Sequence, residues 1–513
     1  MESFRDLVVR QVGALPVVVS FAERLGLVEA VDRHCPIRSI ADYTHGQVVL
    51  AMVANRMTHP RPLSNFVDWG DRFAVADTLG IEPEKLNDDR LGRTLDRLAD
   101  NVDEVLNLIG RRAIERFGID IGELHWDLTH VAFTGKYAEQ DPEHPQVKRN
   151  RTPDKTMTRQ VRTGVWLSDD GAIPFRAIGF DGNKNDVVCV EPALAQLDVI
   201  RAQLPTGTAP LVVGDSKLMS DTNARAFIKR GMRFVCPHPK DVHTKRLLAE
   251  PDEDAYAPLA YRPERQKTDD ARYLHIDSER QCQQLTLRAL FVLSLDDQTA
   301  CRQQRAKQLA RAEDEVAKLN GGVGQHTKTV EQLERKTEAI LTKRRVRELV
   351  TVTITDTARP QVMIQRNETA ITAAERLDGR YMLVSNDRDL TADQLLAAYK
   401  RQHAIESRFS DYKGPIEVRP VFLKSNRRIA ALTAIISLAL LIYSLIERQV
   451  RRGLATLADS ERRLLRERIG RATGRKILDQ LNDLTAAKPR DGPEPYRLTQ
   501  PRHVQQILLR LLT

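Results

Sequence analysis

Three acidic residues far apart in the chain, Asp127, Asp215 and Glu406, carry the side-chain type that phosphoryl-transfer chemistry needs. Asp127 lies inside the strand-like segment LHWDLTH, where a lone acid between apolar neighbours is costly unless something pairs with it. Asp215 closes PLVVGD, at the carboxyl end of an apolar run, which is where open sheets place their ligand sites. Hard divalent cations prefer oxygen ligands, and two of them held by converging carboxylates bridge the attacking and leaving oxygens of a displacement at phosphorus. Read singly, each aspartate is more often an ordinary strand-end or turn residue. Glu406 draws its weight from its helix. Tyr399, Glu406 and Lys413 recur every seventh residue, and seven steps of about 100° return to nearly the same face, with Gln402 between the first two. On that stripe Glu406 can complete a metal site, Lys413 can hold a phosphate as a point charge, and Tyr399 can touch a base or the backbone. The alternative is a solvated face, with Gly414 and Pro415 as an ordinary helix stop.

The elements that must position these residues follow from periodicity. Residues 1–118 read as helical, with apolar positions three and four apart in HGQVVLAMVANRM and in RLGRTLDRLADNVDEVLNLIGRRAIERFG, and with Gly118 as C-cap. At about residue 120 the period changes. GELHWDLTHVAFTG, TRQVRTGVWLSDD, PFRAIGF and PLVVGD are short, strand-like and bounded by turn residues, with a helix before the last of them and another leading into RFVCP. This predicts a mixed α/β domain whose first part spans 119–240. Residues 241–385 read as an insertion, in which the strand QQLTLRALFVLSL precedes two charged helices (about 298–349) joined at GGVG. Their apolar positions, Leu309, Val316, Val330, Leu333 and Ile340, are few enough to predict a two-helix coiled coil, either a solvated arm or one that contacts DNA or a partner. The domain resumes over 386–452, with the helix bearing Glu406 and a very apolar helix, and a helical region, 453–513, ends the chain.

Composition limits the function classes. The 513 residues carry 41% hydrophobic and 29% charged side chains, ordinary for a folded protein of roughly three domains. A net charge of +9 favours polyanionic partners. The basic residues concentrate in QVKRNRTPDKTMTRQVR, where Lys148, Arg149, Arg151, Lys155, Arg159 and Arg162 face one Asp154; this loop is the main candidate for DNA backbone contact, the alternative being a solvated charged loop. The five cysteines show no Cys-x-x-Cys pair, which argues against a disulfide framework and a zinc ribbon, and Cys236, His238 and His243 lack a fourth ligand at usable spacing. The N-terminus lacks the basic-then-apolar order of a signal peptide. Ile429–Ile446 reaches the lower limit of a membrane span, but Thr433, Ser437 and Ser444 interrupt it and arginines flank both ends, so a buried core helix is expected and no membrane partner.

These residues resemble the DDE transposases of bacterial insertion sequences, in the insertion-sequence-four-like group marked by Tyr-x2-Arg-x3-Glu-x6-Lys. Tyr399, Glu406 and Lys413 match; Gln402 stands where the family has arginine, and the adjacent Arg401 points about 100° away on the helix. The resemblance also covers HWDLTHVAFTG, VVGDSKLMSD and PVFLKSNRRIAALTAIISLALLIYSL, and so spans about residues 120–450. It implies an RNase H-like fold interrupted by the insertion, with Asp127, Asp215 and Glu406 as catalytic ligands of two Mg2+ ions, for which Mn2+ can substitute. It implies strand cleavage at the element's ends followed by attack of the freed 3′-hydroxyl on a second strand or target. The partners are then double-stranded DNA, in the form of terminal inverted repeats and target DNA, and a second copy of the chain in the DNA complex, in a bacterial cytoplasm at the nucleoid. Tyr399, Gln402, Arg401 and Lys413 join the basic loop as DNA-contact candidates. The rival reading, prompted by Gln402, is a transposase-derived DNA-binding protein with impaired catalysis.

Overall fold

Alternating apolar residues in LHWDLTHVAF and TRQVRTGVWLS build the two longest strands of the fold, seen here in a computed structural model of the chain. It describes residues 7–37, 41–135, 137, 141–152, 156–204, 209–263, 270, 272–282, 285–323, 329–355, 357, 359–413, 423, 425–489 and 497–513, and only the backbone at 282, 403–407, 409 and 411–413. Lys155, Gly324, Gly414 and Pro415 of the sequence reading lie outside the described residues, as do the side chains of Glu406 and Lys413. In chain order the strands are β1 (Leu7–Gln11), β2 (Glu123–Phe133), β3 (Lys148–Arg151), β4 (Met157–Ser168), β5 (Pro174–Phe180), β6 (Leu211–Gly214), β7 (Arg233–Pro237), β8 (Ala257–Pro258), β9 (Tyr273–Cys282), β10 (Leu285–Ser294), β11 (Val350–Ile354), β12 (Val362–Arg366), β13 (Arg380–Ser385), β14 (Thr485–Pro489) and β15 (Arg497–Leu498). The chain forms two compact units, one of Met1–Gly214, Arg225–Met232 and Arg401–Thr513, the other of Asp215–Ala224 and Arg233–Lys400.

In the first unit β2 pairs antiparallel with β4 on one edge and parallel with β6 on the other. The far edge of β4 pairs with β3 and then β5. The sheet is therefore mixed. Trp126 of β2 meets Trp166 with ring centroids 4.9 Å apart, and this packing requires a glycine at 164, because a Cβ there would stand 2.1 Å from the Trp126 ring. The apolar helix Asn426–Gly453 lies in the same core. Its most apolar window has a mean hydropathy of 2.5, enough for a membrane span by composition, and is 94% buried within the fold. Thr433, Ser437 and Ser444 return their hydroxyls to the carbonyls of Ile429, Thr433 and Leu440 at 2.8 Å, so the polar interruptions leave no hydroxyl unsatisfied. The flanking arginines are engaged within the unit: Arg428 with Asp96, and Arg448 with Asp170 and the carbonyls of Phe117 and Gly118.

The N-terminal helices pack on one another and on the apolar helix. His45–Thr58, started by a capping box of Thr44 and Gln47, is buried on nearly every side, and it and Asp88–Ala99 pack on the apolar helix. Gly118 ends Val102–Phe117 at φ 56°, the left-handed cap that glycine adopts without cost. The N-terminal region also contributes β1, which pairs with β14, itself paired with β15.

The second unit contains an antiparallel sheet in the order β7-β13-β10-β9-β8. From β10 the chain enters the helices Leu295–Gly321 and Val330–Arg344. They are not the bare coiled coil expected from their few apolar positions, because the β11–β12 ribbon sheathes them. Val316 and Leu333 share a cluster with Val362, and Leu309, Ala312 and Leu341 share another with Val346 and Val350. Asn320 fastens the ribbon by accepting from the Val362 N–H at 2.9 Å and donating to its carbonyl at 2.7 Å.

Candidate active site

Strand alternation places Glu123, His125 and Asp127 on one face of β2. Asp127 is half-buried, and its Oδ1 accepts the N–H of Leu128 at 2.7 Å. The parallel pairing of β2 with β6 sets Trp126 opposite Gly214. The two aspartates singled out in the sequence are thus each the next residue after one paired position. Asp215 sits in the turn after β6, where its Oδ1 accepts from the Lys217 N–H at 3.0 Å.

The helix Ala392–Lys413 carries the Tyr399, Gln402, Glu406 and Lys413 stripe. Gln402 Oε1 lies 3.0 Å from His125 Nδ1, and the Arg401 guanidinium bridges Glu123 and Asp169 at 3.0 Å each. Seven residues on, buried Arg408 pairs with Glu447 at 3.1 Å and donates to the Gly171 carbonyl at 3.1 Å. These anchors bracket position 406. His125 is fully buried; burial works against its cation, but the carboxylates of Asp169 and Glu123, 3.7 and 3.4 Å from Nε2, and the Gln402 amide outweigh that and push its pKa up to about 9. The imidazolium therefore donates Nδ1–H to the Gln402 amide oxygen. Glu123 is desolvated as well, which raises its pKa, yet His125 and Arg401 hold it below the ordinary glutamate value.

Glu123, His125 and Asp169 bring ligand-type atoms within 4.8 Å of one another, the one such group among the described residues. It is a poor metal site, because a guanidinium and a protonated imidazole already supply the cations that its carboxylates need. Sequence reading missed this group. The signal was present in the Glu-x-His-x-Asp alternation of β2, but nothing in the sequence says which helix covers that face.

Tyr399 is half-buried with its ring 5.9 Å from Tyr381, and the neighbouring Lys400 ammonium sits 4.6 Å from the Tyr273 ring, its pKa lowered by burial. The basic loop is partly a strand ribbon. In the β3–β4 pairing Arg149 stands directly opposite Arg159 and Arg151 opposite Met157, so the three arginines share one face. Among the described residues none of Lys148, Arg149, Arg151 and Arg159 forms an ion pair, whereas Arg162 is engaged by Asp186 and by the Lys184 carbonyl at 2.8 Å. The opposite face is held down, with Asn150 and Gln160 both donating to the Gly182 carbonyl at 3.1 Å.

Residues 7–110 match a family described only as a domain of unknown function (DUF4277). No curated protein matches the chain in sequence. Among solved structures, the chain is similar to the piggyBac transposase in a cryo-EM synaptic complex with hairpin DNA, at 10% identity and a TM-score of 0.41, over 97% of this chain and 85% of that one. Residues 161–442, more than half of the chain, match the family described as the transposase DDE domain, and the chain belongs to that family of transposases.

Proposed function

We propose that this transposase moves a bacterial insertion sequence of the insertion-sequence-four-like group, cutting the element's ends and joining the freed 3′-hydroxyls to new DNA on an RNase H-like core. The observation that carries this reading is the β2–β6 register, because it puts Asp127 and Asp215 immediately after a directly paired position on neighbouring parallel strands. Anchoring of the Glu406-bearing helix to the same face of β2 through Arg401 and Gln402 supports the third carboxylate. The donor set suits Mg2+ or Mn2+, since carboxylate oxygens from rigid strands are what hard cations take. Two such ions, when held by Asp127, Asp215 and Glu406, supply polarisation of the scissile phosphate and a nucleophile at neutral pH. The residues of the chain do the positioning. Arg149, Arg151 and Arg159 track the backbone of double-stranded DNA, with Lys148 and Lys155 as further contacts, and Lys413 and Tyr399 bind DNA as well. Terminal inverted repeats and target DNA are the substrates, two copies of the chain pair the ends, and the protein works in the cytoplasm at the nucleoid.

A second reading, a DNA-binding protein with impaired catalysis, rests on Gln402 at the signature arginine. One experiment decides between them. Purified protein is incubated with DNA carrying the repeats that flank its gene, with Mg2+ or with a chelator. Metal-dependent nicking is expected, with Asp127→Asn, Asp215→Asn and Glu406→Gln each lowering it by at least about a hundredfold while circular dichroism is unchanged. Repeat binding without nicking in either metal would establish the second reading instead, and nicking that survives all three changes would remove the carboxylate assignment.

A further inference from the structure

The second unit holds a cavity of about 770 Å³ beside the helical hairpin, and its wall is strongly basic. Lys240, Arg305, Lys343, Arg344, Arg345 and Arg380 line it, against the carboxylates of Asp297 and Asp378. Half of these cations are fixed. Arg305 pairs with Asp378 at 2.5 Å, Arg344 with Glu315, and Arg380, buried, donates to the carbonyls of Leu248 and Pro251 at 2.9 and 2.6 Å. Arg305 Nη1, the Nε–H groups of Arg344 and Arg380 and the Tyr381 hydroxyl, all on residues of the wall, are buried without a hydrogen-bond partner, against one such acceptor, Asp378 Oδ2, so unpaired donors exceed unpaired acceptors there. The other half is unneutralised: among the described residues Lys240, Lys343 and Arg345 form no ion pair, and all three are exposed.

Arg345 adds an independent observation. It caps the helix Val330–Arg344 with φ 59° and ψ 36°, a left-handed conformation that glycine or asparagine adopts far more readily. An arginine kept at a strained position on the rim of a basic cavity, with no carboxylate to bind, is a cation presented outward. We propose that this cavity is a second DNA-contact site, in which Lys240, Lys343 and Arg345 grip the phosphodiester backbone of a duplex away from the acidic centre. The inference rests on the transposase reading for the identity of the polyanion. A free phosphate offers the same chemistry, and a strained rim bearing several flexible cations suits a ligand with successive charges better than a single ion.

Cys301 is exposed and lines the cavity, whereas Cys35, Cys189 and Cys236 are buried, so its alkylation reports occupancy. Full-length protein is treated with iodoacetamide alone, with inorganic phosphate, and with a short duplex, and modification of the Cys301 peptide is followed by mass spectrometry. Duplex affinity is measured against salt in the same samples. The duplex should slow Cys301 alkylation several-fold while phosphate at equal phosphorus concentration does not. The double variant Lys343→Gln, Arg345→Asn should lose that protection and lower the slope of log affinity against log salt by about 0.9 per lost contact. Asparagine suits the left-handed backbone, so the fold is not put at risk. A duplex that binds yet leaves Cys301 fully reactive, or a double variant with the wild-type slope, overturns the cavity site and leaves the transposase reading standing. Protection by phosphate equal to that by duplex makes it a free-anion site and overturns the DNA assignment. Failure to bind any duplex removes both.

Discussion

The hydrogen bond between the His125 ring and the Gln402 amide decides what an arginine at position 402 would do. His125 is fully buried and kept cationic by Glu123 and Asp169, and so offers Nδ1–H to an acceptor. Glutamine has that acceptor, whereas arginine has donors only. Gln402→Arg, which would complete the pattern Tyr-x2-Arg-x3-Glu-x6-Lys, would set a guanidinium against an imidazolium with Arg401 one residue away. It should therefore lower the cleavage rate by on the order of tenfold to a hundredfold by displacing the helix that carries Glu406, with folding retained. Gln402→Glu keeps an acceptor for the imidazolium and should stay within about threefold of wild type on the same scale of positional effects. Rates of strand cleavage at saturating Mg2+ test both, and an arginine variant as fast as wild type would show that the face of β2 has room for a second guanidinium. What singles out Asp127 in the sequence is that an acid inside an apolar strand is anomalous on its own terms. The partnership of His125 with Gln402 was not legible there, since it joins residues 277 apart and depends on which helix lies over β2.

At the scale of elements, period and turn chemistry located the long strands well and the short or polar ones poorly. LHWDLTHVAF and PLVVG announce themselves, whereas β3 is Lys-Arg-Asn-Arg and becomes a strand only because the first residues of β4 lie beside it. β9 is similar: YLHIDSERQC is mostly polar, and its ten residues are extended because β10 pairs with all of them. The same cause explains the hairpin. Five apolar positions suggested two helices meeting only each other, and the missing hydrophobic partner is β12, whose Val362 completes the cluster of Val316 and Leu333. Leu333 is 0% exposed although it lies on a highly charged helix. Leu333→Ala should cost about 2–5 kcal/mol of local stability through the cavity it leaves. Faster hydrogen exchange and proteolysis across the hairpin and ribbon would register this, and Glu334→Ala, on the solvent side one residue away, should change neither. Equal behaviour of the two variants would mean that the helices stand without the ribbon.

For the whole molecule, what matters about the charge of +9 is where it is left unneutralised. Several arginines are internal fasteners: Arg176 with Asp103, Arg408 with Glu447 and Arg448 with Asp170 hold elements together. Arg149, Arg151 and Arg159 are different. They share one face of the β3–β4 pair, Arg149 directly opposes Arg159, and like charges placed so repel until a polyanion relieves them. Arg162, three residues from Arg159, is bound to Asp186 and is a fastener again. The two classes give opposite signatures. Changing Arg149, Arg151 or Arg159 to Gln should weaken duplex binding by a similar factor for every DNA sequence, reduce the salt slope by about 0.9 for each arginine removed, and leave thermal stability within about 0.5 kcal/mol. Arg162→Gln should leave the salt slope unchanged and lower the melting temperature, because it takes a cation away from Asp186, itself 8% exposed. Titrating the four variants with duplex at several salt concentrations, alongside thermal melts, separates contact from scaffold. If all four fell into one class, the β3–β4 pair would be no more than part of a charged surface, and the path of DNA over this unit would have to be sought elsewhere.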